Sequence, residues 1–272
     1  MLPSLVCCAT LLAACEGGID AWSIEVTKSI RDLRTKAEDG DRDAQCRLAD
    51  LYLSQESNAG NRAAIPWLRK AAKQGERWAQ YQLGLAYQEG LGVPKNKRRA
   101  AHYYELSAAQ GYDSAQLNLG IIYANRKGRS RDLEETIRLY RLAARQGNRN
   151  ACYNLGLYYE TGRGVSPNNR QSFRWYLEAA ELGDSKAQRM VGYRYHEGVG
   201  VRCDFEMAVY WYRRAARAAD VYAQYNLGLC YVDGHGVPRN HRVALRWFRK
   251  AAKQGYHKAA QRLSDMSVSL MK

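Results

Sequence analysis

An alanine recurs at a fixed 36-residue step, at Ala79, Ala115, Ala151, Ala187 and Ala223, with Ala44 one residue short of the step and Ala259 opening a truncated copy. A period of this length means that each unit is one supersecondary element, which buries its apolar face only by stacking on its neighbour. It overrides the one-or-two-domain prior that 272 residues would carry and predicts an uninterrupted stack. Such stacks offer long surfaces to partners rather than buried pockets for chemistry.

With each opening alanine as position one, position five is Leu48, Leu83, Leu119, Leu155, Val191 and Leu227, and position nine is Tyr52, Tyr87, Tyr123, Tyr159, Tyr195 and Tyr231. Position six is small: Ala49, Gly84, Gly120, Gly156, Gly192 and Gly228. Apolar residues four apart describe one face of a helix. Glycine inside a helix costs about 1 kcal/mol against alanine, so its recurrence predicts a second helix crossing there at close range. A G-x-G-V pattern starting at Gly90, Gly162, Gly198 and Gly234 ends the first helix, and Pro94, Pro167 and Pro238 stand just beyond. The second helix, over about positions 20–32, carries bulky pairs such as Trp175-Tyr176, Trp211-Tyr212 and Trp247-Phe248, which read as core. Four residues later comes an alanine ladder, Ala72, Ala108, Ala144, Ala180, Ala216 and Ala252. Two units depart from the pattern. Arg126-Lys127-Gly128-Arg129 and Ser54-Gln55-Glu56-Ser57 replace the glycine motif, so both loops should be atypical, and Ala219 replaces a closing glycine.

The net charge is +15, from 42 basic and 27 acidic residues. Much of it lies on the second helices, at Arg69 and Lys73; Arg138, Arg141 and Arg145; Arg213 and Arg217; Arg246, Arg249 and Lys253. Spacings of three and four make each set a like-charged ridge, either a solvated outer face or an attraction to an acidic surface. No nucleic-acid motif accompanies the charge, so nucleic acid is not the expected partner.

The unit A-x-x-x-L-G-x-x-Y-x-x-G-x-G-V…W-Y-x-x-A-A-x-Q-G resembles the Sel-one-like repeat, a relative of the tetratricopeptide repeat, over about residues 40–262. The resemblance implies an all-α, right-handed α-solenoid of about six helix–turn–helix repeats (44–78, 79–114, 115–150, 151–186, 187–222, 223–258). A linker and capping helix over 16–43 and a capping helix over 259–272 would close its ends. It further implies that the first helices line a concave groove holding a protein partner. Carried over by position, the groove residues are Arg47, Tyr81, Gln82, Asn118, Tyr153, Asn154, Arg189, Tyr225 and Asn226, with Arg194 beside them in the divergent repeat from Ala187. Asparagine both donates and accepts, so it can pair with a partner's backbone; it can equally bridge neighbouring repeats. One branch of the family clamps each repeat with a disulfide. That pairing is missing here, so Cys46, Cys152, Cys203 and Cys230 are expected as free thiols.

Residues 1–15 are uncharged and apolar and end in Leu12-Ala13-Ala14-Cys15, similar to a bacterial lipobox. Lipidation at Cys15 would place the protein in the cell envelope or periplasm, with a lipid anchor as its only membrane contact; the alternative is an apolar cap on a cytoplasmic protein. No catalytic, cofactor or metal site is expected. The five histidines, His102, His196, His235, His241 and His257, fall on surfaces and loops. The sole S-x-x-K match, Ser269 to Lys272, has no scaffold after it. The leading expectation is a non-enzymatic interaction scaffold. An adaptor for anionic surfaces and a hydrolase of peptidoglycan or β-lactams are the alternatives.

Overall fold

The structure, a computed structural model, describes residues 21–125 and 130–269. The lipobox-like segment with Cys15, the Arg126–Arg129 loop and the last three residues lie outside the described residues. Among the described residues there are fourteen α-helices and no strand. A leading helix α1 (Ala21–Glu38) is followed by six helix pairs: α2 (Arg42–Leu53) with α3 (Asn58–Lys73), α4 (Arg77–Glu89) with α5 (Lys97–Ala109), α6 (Asp113–Ala124) with α7 (Ser130–Ala144), α8 (Arg149–Thr161) with α9 (Asn169–Glu181), α10 (Ser185–Glu197) with α11 (Phe205–Arg217), and α12 (Val221–Asp233) with α13 (His241–Lys253). A last helix, α14 (His257–Ser269), stands alone. The fold is the expected α-solenoid of helix–turn–helix repeats, with each first helix beginning two residues before its alanine.

The sequence sets these boundaries locally. Asp41, Asn148, Asp184 and Asp220 cap the first helices by accepting from the backbone N–H of the opening alanines Ala44, Ala151, Ala187 and Ala223. Ser57, Asn96, Asn168, Asp204 and Asn240 cap second helices in the same way. The departures from the glycine motif have a structural consequence: α3 and α7 are 16 and 15 residues long, against 13 for the other second helices. Without glycines to hold an open loop, the chain winds into extra helix.

The helices form two compact units divided within α6, residues up to Ile122 and residues from Tyr123 onward. The 36-residue period predicts one stack and gives no sign of this division. In the first unit, Ala37 of α1 is buried with Ala44 and Leu48, so α1 packs on α2 as the second helix of a half repeat. A core of Ala49, Leu68, Ala79 and Leu83 follows. In the second unit, Ala208, Val209, Tyr212, Ala223 and Leu227 form one core, and Ala244, Phe248 and Ala259 another.

The position-six glycines do what their cost predicted. A Cβ added at Gly84 would lie 2.5 Å from the ring of Tyr104; at Gly156, Gly192 and Gly228 it would meet Tyr176, Tyr212 and Phe248 at 2.6, 2.7 and 2.4 Å. A second set of contacts was not anticipated. Buried glutamines at position two, Gln45, Gln80, Gln116, Gln188 and Gln224, each donate to the carbonyl of an alanine at the end of the preceding helix: Ala37, Ala72, Ala108, Ala180 and Ala216. They satisfy orphan carbonyls of the helix C-terminus and pin each first helix to the helix before it.

Candidate partner-binding face

Residues at positions zero, three, four and seven lie on one side of each first helix, because helical neighbours are three and four apart. This face carries the sequence-predicted residues, and the structure divides them by what else they touch.

In the first unit, Arg47 on α2 is exposed and Gln82 on α4 is half-buried. Tyr81 is half-buried, its ring 5.9 Å from Tyr104 and 5.0 Å from Tyr112. The Asn118 amide lies beside the hydroxyls of Tyr81 and Tyr104, and the Tyr104 hydroxyl itself donates to Gln88 Oε1 at 3.1 Å. Burial pushes the pKa of both phenols up, and Asn118 partly offsets the rise.

In the second unit, Asn154 lies beside the Tyr140 hydroxyl and Asn226 beside that of Tyr212, again opposing an upward shift caused by burial. The three asparagines thus share one internal position, beside the tyrosine hydroxyl of the preceding second helix. Each stays only half-buried, so part of the amide still faces outward.

Position three contacts the next repeat. Tyr225 lies 5.2 Å from Tyr256, as Tyr81 lies against Tyr112. Arg189 pairs with Asp220 at 3.4 Å and covers the ring of Tyr222 at 5.2 Å. Tyr153 rests 5.4 Å from Tyr176, and burial raises its pKa. These residues set the contact between repeats as well as lining the face.

Arg194 is a correction. Its side chain is only 1% exposed, so it is not available to a partner. It turns inward from position eight, pairs with Glu160 at 3.0 Å and lies over the Tyr176 ring at 5.1 Å. Tyr176 in turn donates to the same carboxylate at 2.6 Å. Two of the guanidinium nitrogens, Nε and Nη1, are buried without a partner. In a neutral alphabet position eight would read as core, and that period was the available signal.

The face also holds residues that the sequence reading missed. Ile121 in the first unit, and Leu157, Tyr193 and Tyr222 in the second, are large apolar or aromatic side chains that are exposed. The recurrence of an apolar residue at position seven, Leu85, Ile121, Leu157, Tyr193 and Leu229, was legible, but it reads as core until the packing is known.

The ridges on the second helices are partly engaged from within. Arg69, Arg141 and Arg213 donate to the position-nine hydroxyls of Tyr87, Tyr159 and Tyr231 at 3.1, 2.6 and 2.8 Å. Arg138 holds Glu135 through two bonds. His196, in the last turn of α10, and the loop residue His235 come together in the second unit, His196 Nε2 lying 3.2 Å from His235 Nδ1, with Phe205 stacked 4.4 Å from the His235 ring.

Cys46, Cys152, Cys203 and Cys230 are free, and Cys203 alone of them is exposed. Burial pushes the thiols of Cys46 and Cys230 up to about 11 and that of Cys152 to about 12. Among the described residues no group of three or more His, Cys, Asp or Glu side chains is placed to hold a metal. No described helix is long and apolar enough to cross a membrane.

Known proteins place the repeat. Residues 42–76, 79–112, 113–148, 149–184, 185–220 and 221–256 each match the Sel1 repeat. No curated protein matches the chain. Among solved structures, c5321, a protective antigen present in uropathogenic Escherichia coli strains displaying an SLR fold, is 34% identical over 86% of this chain, with a TM-score of 0.80. The chain spans only half of that protein's length, 50%. A Sel1 repeat protein from Oxalobacter formigenes is 36% identical over 70% of this chain and 78% of its own, with a TM-score of 0.65. Proteins of this repeat class are generally interaction scaffolds. With six tandem matches in phase with the helix pairs, the chain belongs to the Sel1 repeat family.

Proposed function

We propose that this chain is a non-enzymatic scaffold that binds an extended segment of a protein partner on its first-helix faces. The observation that carries the reading is the band of exposed apolar side chains, Leu157 and Tyr193 at position seven and Tyr222 at position zero, beside half-buried Asn154 and Asn226. Aromatic side chains supply large contact areas at low entropic cost, and hot spots concentrate on them. The amides beside them can pair with a partner's backbone.

A photo-crosslinking residue placed at Leu157 or Tyr193 in the native host should capture a defined protein, and one at Arg174, exposed on α9, should not. Equal capture from Arg174 would overturn the reading, as would turnover of a peptidoglycan or β-lactam substrate by the purified protein. The lipobox-like Leu12–Cys15 supports an envelope location. Mass spectrometry of the native protein should then find a mature chain beginning at a lipidated Cys15, and an intact unmodified Met1 would exclude it.

A further inference from the structure

We propose that α13 forms a second docking surface, which takes an acidic helix of a protein partner. The surface is independent of the first-helix face. Residues 234–264 contain eight lysines and arginines and no aspartate or glutamate. On α13, Arg242, Arg246, Arg249 and Lys253 are spaced by four, three and four, which places them on one side of the helix at intervals of about 6, 4.5 and 6 Å. All four are exposed, and none of their side chains makes a hydrogen bond or ion pair among the described residues.

The other ridges are not equivalent. Arg69, Arg141 and Arg213 each donate to a tyrosine eighteen residues further on. At that offset from Arg249 the chain has Ser267. With a serine in place of the tyrosine, the arginine that elsewhere bonds to the next repeat makes no bond to the described residues. Unpaired like charges along one helix repel each other, so a carboxylate-bearing partner removes an unfavourable interaction as it adds favourable ones.

The occupant follows from what accompanies the charge. No large apolar side chain is exposed between residues 234 and 266, so the surface has nothing to insert into a bilayer. Of the two large aromatic rings on this helix, Phe248 is buried and Trp247 is half-buried and covered by Lys250 Nζ at 4.4 Å, so neither offers a free platform for nucleotide bases to stack on. A helix with carboxylates at the same spacing of four, three and four meets the stripe along its whole length, and arginine forks suit carboxylates.

The test is fluorescence anisotropy of a labelled helical peptide with glutamates at those intervals, against an oligothymidylate of matched charge and vesicles of phosphatidylcholine with phosphatidylserine. The peptide should bind most tightly, and its affinity should fall steeply with added salt. Arg242→Glu, Arg246→Glu and Arg249→Glu together should weaken it about a hundredfold, since each reversal replaces an attraction to a carboxylate with a repulsion. The control triple Arg145→Glu, Arg170→Glu and Arg174→Glu, with the same change in net charge, should weaken it less than about threefold. If the reversed stripe disturbs folding, seen as a lowered Tm, the three glutamine substitutions replace it and should give an intermediate loss. Equal losses in the two triples would reduce the effect to net charge and overturn the proposal. Tighter binding of the oligonucleotide or the vesicles would overturn the choice of partner, and normal peptide binding by the stripe variant would overturn the site.

Discussion

Two glycine substitutions separate space from backbone conformation. At Gly156 the backbone is ordinary helix, and the constraint is the Tyr176 ring that a Cβ would meet at 2.6 Å. Gly156→Ala should therefore destabilise the protein by about 1–2 kcal/mol, overpacking outweighing the gain in helix propensity. Denaturant melts check this, and Tyr176→Leu should recover part of the loss, since the first repeat pairs Ala49 with Leu68 at these positions. At Ala219 the constraint is φ, which is +62° where the other repeats use glycine. Ala219→Gly should stabilise by about 0.5–1 kcal/mol, because a left-handed residue with a Cβ costs about 1–2 kcal/mol and glycine returns part of that as chain entropy. A third residue-scale expectation concerns the thiols. Iodoacetamide on the native protein at mildly alkaline pH should alkylate Cys203 well ahead of Cys152 and Cys230, whose raised pKa values keep them protonated. Comparable labelling rates would mean that the two buried cysteines are not packed as described.

Between elements, the unusual contact is Arg194 on α10 against Glu160 and Tyr176 on α8 and α9. The partners differ in exposure, 1% for the arginine side chain and 33% for the glutamate. Loss of either one therefore has a different cost. Glu160→Ala leaves a wholly buried guanidinium without its counter-ion and should cost about 3 kcal/mol. Arg194→Met leaves a carboxylate that already reaches water and still accepts from Tyr176, so it should cost less than about 1 kcal/mol. Equal losses in chemical denaturation would show that the pair acts symmetrically. The same contact shows where sequence reading stopped. The helix period placed Arg194 beside the predicted face, but whether a residue at a helix boundary points out or in depends on what the preceding pair offers, and here Glu160 makes an inward charge tolerable.

Across the molecule, tyrosine is the main link between consecutive helices, and its titration should limit stability in alkali. Burial raises Tyr104, Tyr140, Tyr176 and Tyr212 above the ordinary value of 10.0. A phenol whose pKa is higher in the folded than in the unfolded state contributes stability that is complete below the unfolded value and is lost as pH rises beyond it. The Tm should hold below pH 10 and fall steeply above it, with tyrosinate absorbance appearing together with unfolding rather than before it. Tyr212→Phe should flatten the fall. A tyrosinate signal that grows while the far-UV spectrum stays native would show these hydroxyls to be open to solvent.

The order of helices, their phase, their caps and the close crossing at each glycine were determined by the sequence itself, because all of them rest on interactions within one repeat or between adjacent ones. Spacing, cap chemistry and the size of a side chain are local properties that a linear pattern records. What only the tertiary structure decided is which side chains have spent their hydrogen-bonding capacity internally. Asn118, Asn154 and Asn226 lie against tyrosine hydroxyls, Arg69, Arg141 and Arg213 are bonded to the next repeat, and Arg194 is buried, whereas Leu157, Tyr193 and the α13 cations remain open. Identical letters at identical repeat positions divide in this way because a side chain's availability depends on what the neighbouring repeat offers it, a tyrosine hydroxyl opposite Arg213 but a serine at the same offset from Arg249.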